Sequence, residues 1–279
     1  MYRFLARPRW IGFALLVLLT IAACLLLARW QWHRLHEREA YNRLVDTNTN
    51  AAAVTPDELL APGRPLDRAD RWRTVAVTGR YDDGQVLLVR KRTQDGQPGF
   101  YVMTPMRDRT GAALWFNRGW IPVAATATQA PEVPPTPAGT VTVVGRMRVG
   151  ESSSRANPAD LPEGQIDRID VDRISADLGY PAYGGYAEVI SETPATVPSP
   201  APVAAPDLGN GPHLSYAVQW VTFAIVAVVG WYVLVRKEVE RLAEEREAAA
   251  GAGPDPEPDE PARTTSDDND DRTPVEGNA

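Results

Sequence analysis

Two stretches of the chain are hydrophobic without a single charge. Residues 10–28 (WIGFALLVLLTIAACLLLA) form a run of 19, and residues 214–235 (LSYAVQWVTFAIVAVVGWYVLV) a run of 22. At a helical rise of about 1.5 Å per residue each predicts a helix of roughly 30 Å, the thickness of a bilayer core. Trp10, Trp30 and Trp32 flank the first run, and Tyr216, Trp231 and Tyr232 lie near the ends of the second, as interfacial aromatics do. A buried core helix is the alternative, but core helices seldom run this far without a charge. Both runs read as membrane spans.

Between them the pattern changes twice. Trp30, Arg34, Glu37 and Tyr41 recur at i, i+4, i+7 and i+11, so residues 29–60 are expected to carry the first helix out of the membrane. Short β-like runs follow at residues 73–81, 85–92, 100–106 and 113–121, separated by the turn signals Asp82-Asp83-Gly84, Asp95-Gly96 and Arg109-Thr110-Gly111. A Pro-rich loop at 130–139 interrupts the series, which resumes at 140–149 and 185–191, with a short helix at 171–178 stopped by Gly179. About six short strands predict a small, mainly antiparallel sheet or barrel. Six prolines between Pro194 and Pro212 predict an extended, semi-rigid tether.

The expected organisation is therefore a two-span membrane protein. It comprises an N-terminus (1–9), a transmembrane helix (10–28), a β-rich domain (29–193), a Pro-rich tether (194–213), a second transmembrane helix (214–235), a helical extension (236–250) and an acidic tail (251–279). The tail is too poor in apolar residues to fold alone.

Charge sharpens this picture. The net charge of -7 resides in the tail, because residues 1–247 balance 27 basic against 27 acidic side chains. A neutral body with an acidic end excludes nucleic-acid binding, which needs a basic surface. Arg3, Arg7 and Arg9 precede the first span, and Arg236, Lys237, Arg241 and Arg246 follow the second. These seven outweigh Arg29, Arg34, Arg38 and Arg43 at the inner ends. The bias places both termini in the cytoplasm and the β domain on the outer face of the cell membrane, although the inner Arg cluster opposes the rule locally. The single cysteine excludes an internal disulfide or a CxxC pair. Ile21-Ala22-Ala23-Cys24 resembles a lipoprotein cleavage box, but Leu25-Leu26-Leu27-Ala28 continues the apolar run, as in an uncleaved anchor.

Candidate chemistry is sparse. There is no GxSxG, HExxH or phosphate-cradling glycine loop, and residues 71–192 contain neither His nor Cys, so an enzyme is not expected. Asp167, Asp170 and Asp172 read as solvated charge. His33, His36 and His213 are all expected at one height near the membrane interface, where they would either ligate a metal or haem iron or simply sit comfortably. His213, Tyr216, Trp220, Phe223 and Ala227 form one stripe on the second span, which suits a helix-packing face or the edge of a porphyrin.

Three motifs in this order carry a family resemblance. They are Trp30-Gln31 with Arg34 after the first span, and Gly99-Phe100-Tyr101 with Pro105 followed by Asn117-Arg118-Gly119-Trp120-Ile121-Pro122. The third is His213-Leu214-Ser215-Tyr216-Ala217 with Trp220. Together they resemble the surfeit locus protein 1 family, membrane factors for assembly of haem-copper cytochrome c oxidase. Departures are Ala28-Arg29, His36-Glu37 and Gly211-Pro212, where the family pattern has a Gly, an aromatic-Lys pair and an Asn pair.

The resemblance implies help in placing haem a into oxidase subunit I, with His213 as the contact to haem iron. On that reading Tyr216 and Trp220 line the ring, His33 or His36 offers a second ligand, and Arg34 or Arg118 pairs with the propionates. The alternative is a cofactor-free scaffold that holds oxidase subunits or the haem a synthase. A copper carrier would need the Cys pair or Met-rich tract that soft Cu(I) prefers, and the sequence has neither.

Overall fold

The computed structural model describes residues 3–124, 131–151 and 161–251. The acidic tail expected at 251–279 lies outside them, apart from Gly251. The chain divides into two units: the described parts of 1–26 and 220–279 form one, and residues 27–219 the other.

The first unit is helical. It holds the start of α1 (Pro8–Asn50) and most of α4 (His213–Gly251), the two helices long and apolar enough to cross a bilayer. Inside this unit the ring of Trp10 meets that of Trp231 edge-on at 5.8 Å, and Phe4 meets Trp10 at 4.9 Å. Cys24 and Ala224 are buried, while Leu18, Leu19, Leu26 and Val226 are more than 60% exposed. Helices that pack through small residues and turn branched apolar side chains outward are built for an apolar surrounding. The buried line on α4 includes Ala217 and Ala224, whereas Tyr216 and Phe223 of the predicted stripe are exposed. Trp220 and Ala227 of the stripe are half-buried beside that line, so the packing face takes in part of the stripe.

The second unit is built on a sheet of β1 (Thr74–Tyr81), β2 (Leu87–Gln94), β3 (Gln97–Asp108), β4 (Ala113–Pro122), β5 (Val141–Arg148), β6 (Gln165–Ile166) and β7 (Ala182–Thr193). The order is β1-β5-β7-β4-β3-β2-β6, and the far end of β3 also pairs with β1 through Gly79↔Asp108 to Tyr81↔Met106. Five strands thus close on themselves, leaving β2 and β6 as an extension of the β3 edge. The sequence pattern suggested a mainly antiparallel sheet, but this one is mixed: β4 runs parallel to β7, and β2 parallel to β6. A parallel neighbour needs a crossover. Here the chain leaves β4, passes through β5, β6 and α3 (Val171–Ala176), and returns as β7.

Local chemistry sets the turns. Asp95 and Gly96 both have positive φ (50° and 76°), the backbone of a two-residue hairpin whose twist matches β2 and β3. Asp170 caps α3 by accepting from Arg173 N–H, and α3 ends at Ala176, two residues short of the predicted end. Alternation along β1 and β5 sends Val75, Val77, Val141, Val143 and Met147 into one core with Leu114, Phe116, Met106 and Tyr183. A second core with Trp115, Met103 and Val89 lies under α3 through Val171 and Ile174. Strand β4 serves both cores, so all its residues except Pro122 are buried.

The helical expectation for 29–60 is met only as far as Asn50, beyond which α2 (Pro56–Leu59) is a separate turn. Asn48 donates to the carbonyls of Ala69 and Arg71, both at 2.7 Å, and so ties the end of α1 to the loop before β1. The Pro-rich tether is not free along its length. Ala201 exchanges two backbone hydrogen bonds with Trp120 of β4, at 2.7 and 2.8 Å.

Candidate functional site

His213 is the first residue of α4, after a turn in which Gly211 has φ +64°. Its Nδ1 lies 2.9 Å from Oε1 of Gln31 on α1, a buried carboxamide. No other hydrogen bond to the ring is found among the described residues. A Cβ on Gly211 would stand 3.4 Å from Nε2 of His213, in ordinary van der Waals contact, so a side chain there would lie against that nitrogen.

The turn before His213 is held by α1. Arg38 donates from Nε to the carbonyl of Gly209 at 2.8 Å and from Nη2 to the carbonyl and carboxylate of Asp207 at 2.9 and 3.0 Å. Asn42 Nδ2 donates to the carbonyl of Leu208 at 2.7 Å and to Oδ1 of Asn210 at 2.8 Å. Within the described residues, Oδ1 of Asn42 is buried and unpartnered.

The other predicted site residues are placed differently. His33 Nε2 faces Glu37 at 3.3 Å with an exposed side chain, and Arg34 donates to the same carboxylate at 2.9 Å while lying over the Trp30 ring. His36 Nδ1 donates to the carbonyl of Trp32 at 2.8 Å. The three imidazoles do not converge: among the described residues no three His, Cys, Asp or Glu side chains are grouped as metal ligands. Tyr216 is exposed on α4, and Trp220 further along that helix meets Phe223 edge-on at 5.8 Å.

Arg118 is corrected more sharply. It was named above as a possible partner of the propionates, but its side chain is 1% exposed. Register shifts where Val102↔Gly119 gives way to Met103↔Asn117, so Arg118 is the extra residue of a bulge. The bulge turns its guanidinium inward, where it meets Glu192 at 3.3 Å, the carbonyls of Pro134 and Pro135 at 3.1 and 2.9 Å, and the face of Tyr81. Tyr81 donates to Glu192 at 2.6 Å, and burial together with that carboxylate pushes its hydroxyl far above the ordinary tyrosine range.

Gly119 follows with φ +143°, and a Cβ there would reach 2.4 Å from the carbonyl oxygen of Ala201. A Cβ on Gly99 would lie 2.4 Å from the Trp120 indole, whose Nε1 donates to the carbonyl of Arg92. The middle motif is thus a packing device. Nearby, Glu188 is buried between Arg148 and Arg146 at 3.6 and 3.9 Å, and burial outweighs both cations in raising its carboxyl above the usual range.

Pattern reading passed over Gln31, Arg38 and Asn42 as site residues. Their spacing of i, i+7 and i+11 puts them on one face of α1, and that polar stripe was the available signal.

Fold and site together define a protein whose β domain is carried between two long apolar helices and whose imidazole stands at a helix end. The chain belongs to the SURF1 family, whose model matches residues 18–225, as its three motifs suggested. It is 29% identical over 231 residues to an uncharacterised SURF1-like protein of Mycobacterium bovis, covering 81% of this chain and 83% of that protein. A SURF1-like protein of Mycobacterium tuberculosis matches to the same extent. The cytochrome oxidase assembly protein SHY1 of Saccharomyces cerevisiae is 28% identical over 98 residues, covering 34% of this chain and 24% of the yeast protein.

Proposed function

We propose that this chain is a membrane-bound assembly factor for haem-copper cytochrome c oxidase that helps deliver haem a to subunit I, with His213 as the contact to iron. Family membership and the similarity to the yeast oxidase assembly protein support oxidase assembly. One observation carries the haem reading: His213 is held through Nδ1 at the start of α4, while Nε2, beside Gly211, has no hydrogen-bond partner among the described residues. Neutral imidazole is a common ligand of haem iron. Exposed Tyr216 and Leu214 offer apolar surface next to it. Arg34, half-exposed and bound to Glu37, would pair with a propionate. The haem is cargo: this chain binds and orients it, carries out no chemical conversion, and works beside subunit I and the haem a synthase.

His213→Ala is expected to abolish the Soret band of protein purified from haem-a-making cells and to lower oxidase haem content at normal protein abundance. An unchanged Soret band would remove His213 as the ligand, and protein that never carries haem would select the cofactor-free scaffold. The α1 and α4 spans are assigned to the cell membrane, with both termini cytoplasmic. A reporter active only in the cytoplasm should work when fused after Ala250 and stay silent when inserted near Gly139; the opposite result reverses the orientation.

A further inference from the structure

Gln31, Arg38 and Asn42 stand within an arc of about 40° on α1, at roughly 100° per residue. All three bond the seven residues that end in His213: Arg38 holds Asp207 and Gly209, Asn42 holds Leu208 and Asn210, and Gln31 holds the ring itself. The ring is thereby fixed at both its backbone and its Nδ1. A carboxamide oxygen can only accept a hydrogen bond, so the nitrogen facing it must bring the proton. An imidazole protonated at Nδ1 carries its lone pair on Nε2, and the bond made by one ring nitrogen decides which nitrogen a metal takes. Nε2, beside Gly211, is also the nitrogen that has no hydrogen-bond partner among the described residues.

We propose that Gln31 is a positioning residue that locks His213 in the Nδ1–H form, making Nε2 a preformed donor to haem iron, and that this chain supplies no second axial ligand. The proposal rests on the haem-binding reading above. His33 and His36 lie more than about 130° around α1 from Gln31, and they are engaged by Glu37 and the Trp32 carbonyl. A haem held at Nε2 of His213 therefore keeps its opposite axial face free. That face is available to a ligand on a receiving protein.

The test uses the full chain in detergent, labelled with ¹⁵N-histidine; its three histidines allow His213 to be assigned by loss of one signal in His213→Ala. Without haem, His213 in the wild type is expected to be protonated at Nδ1 and unprotonated at Nε2. Protonation at Nε2 instead would overturn the proposal without any variant. Titration with haem a should show Gln31→Leu binding about tenfold or more weakly, the usual cost of losing a partner to a metal-ligating histidine. Gln31→Glu, of the same length and a stronger acceptor, should keep the haem and raise the iron–imidazole stretching frequency of the ferrous form. Equal affinity for Gln31→Leu and wild type sinks the role of Gln31 while leaving His213 as ligand. Unchanged affinity in His213→Ala sinks the haem reading beneath it. Bound haem should be five-coordinate, and a six-coordinate spectrum that becomes five-coordinate in His33→Ala or His36→Ala would overturn the single-ligand statement.

Discussion

Two polar arrangements in the sheet-bearing unit look alike on paper and differ in what they leave over. At Arg118 every direction of a buried cation is answered by a carboxylate, two carbonyls or an aromatic face. At His213 a comparable set of bonds serves to hold a ring by one nitrogen, and the other nitrogen has no hydrogen bond among the described residues. Saturated polar knots stabilise a fold, since breaking one strands a desolvated charge. An arrangement that spends several hydrogen bonds on orienting one unsaturated atom suits a site. The difference is one of stoichiometry between donors and acceptors rather than of residue type.

Breaking the saturated knot should have the larger effect. Arg118→Leu would leave Glu192, whose side chain is 9% exposed, without its cation, and a loss of about 3–5 kcal/mol in unfolding stability is expected. Chemical denaturation of the detergent-solubilised chain measures this. Normal stability with lost oxidase assembly would instead make Arg118 a docking residue and erase the contrast.

Arg38→Ala should do the reverse. Its partner Asp207 is exposed, so unfolding stability should fall by less than about 1 kcal/mol. Hydrogen exchange at residues 207–213 should nevertheless quicken, because the turn has lost its anchor. Protection of that turn unchanged in Arg38→Ala would show that Gln31 and Asn42 hold it without help.

The motif Asn117-Arg118-Gly119-Trp120 shows how far a pattern can be read. Gly at a bulge and a buried Trp follow from strand physics, and the structure has both. The inward turn of Arg118 does not follow, because it depends on a one-residue register shift against β3, and on carbonyls from a loop and a carboxylate from β7. At the helix end, the place of His213 before an apolar run was legible, and it is the first residue of α4. Its partner was not: Trp30, Arg34, Glu37 and Tyr41 form a stripe about 90° around α1 from Gln31.

The sequence by itself determined what a single element can express. Uninterrupted apolar runs specified α1 and α4, period-two alternation and Asp-Gly turns specified most strands, and charge separated the tail from the body. Only the tertiary structure decided what lies between elements: the closure of β3 onto β1, the parallel pairing of β4 with β7, the burial of Arg118, and the side of α1 that meets the turn before His213. Periodicity reports which face of a helix or strand is apolar, but a polar side chain acquires its partner through contacts between residues far apart in the chain. Gln31 and His213 are separated by 182 positions, and no local pattern carries information over that distance.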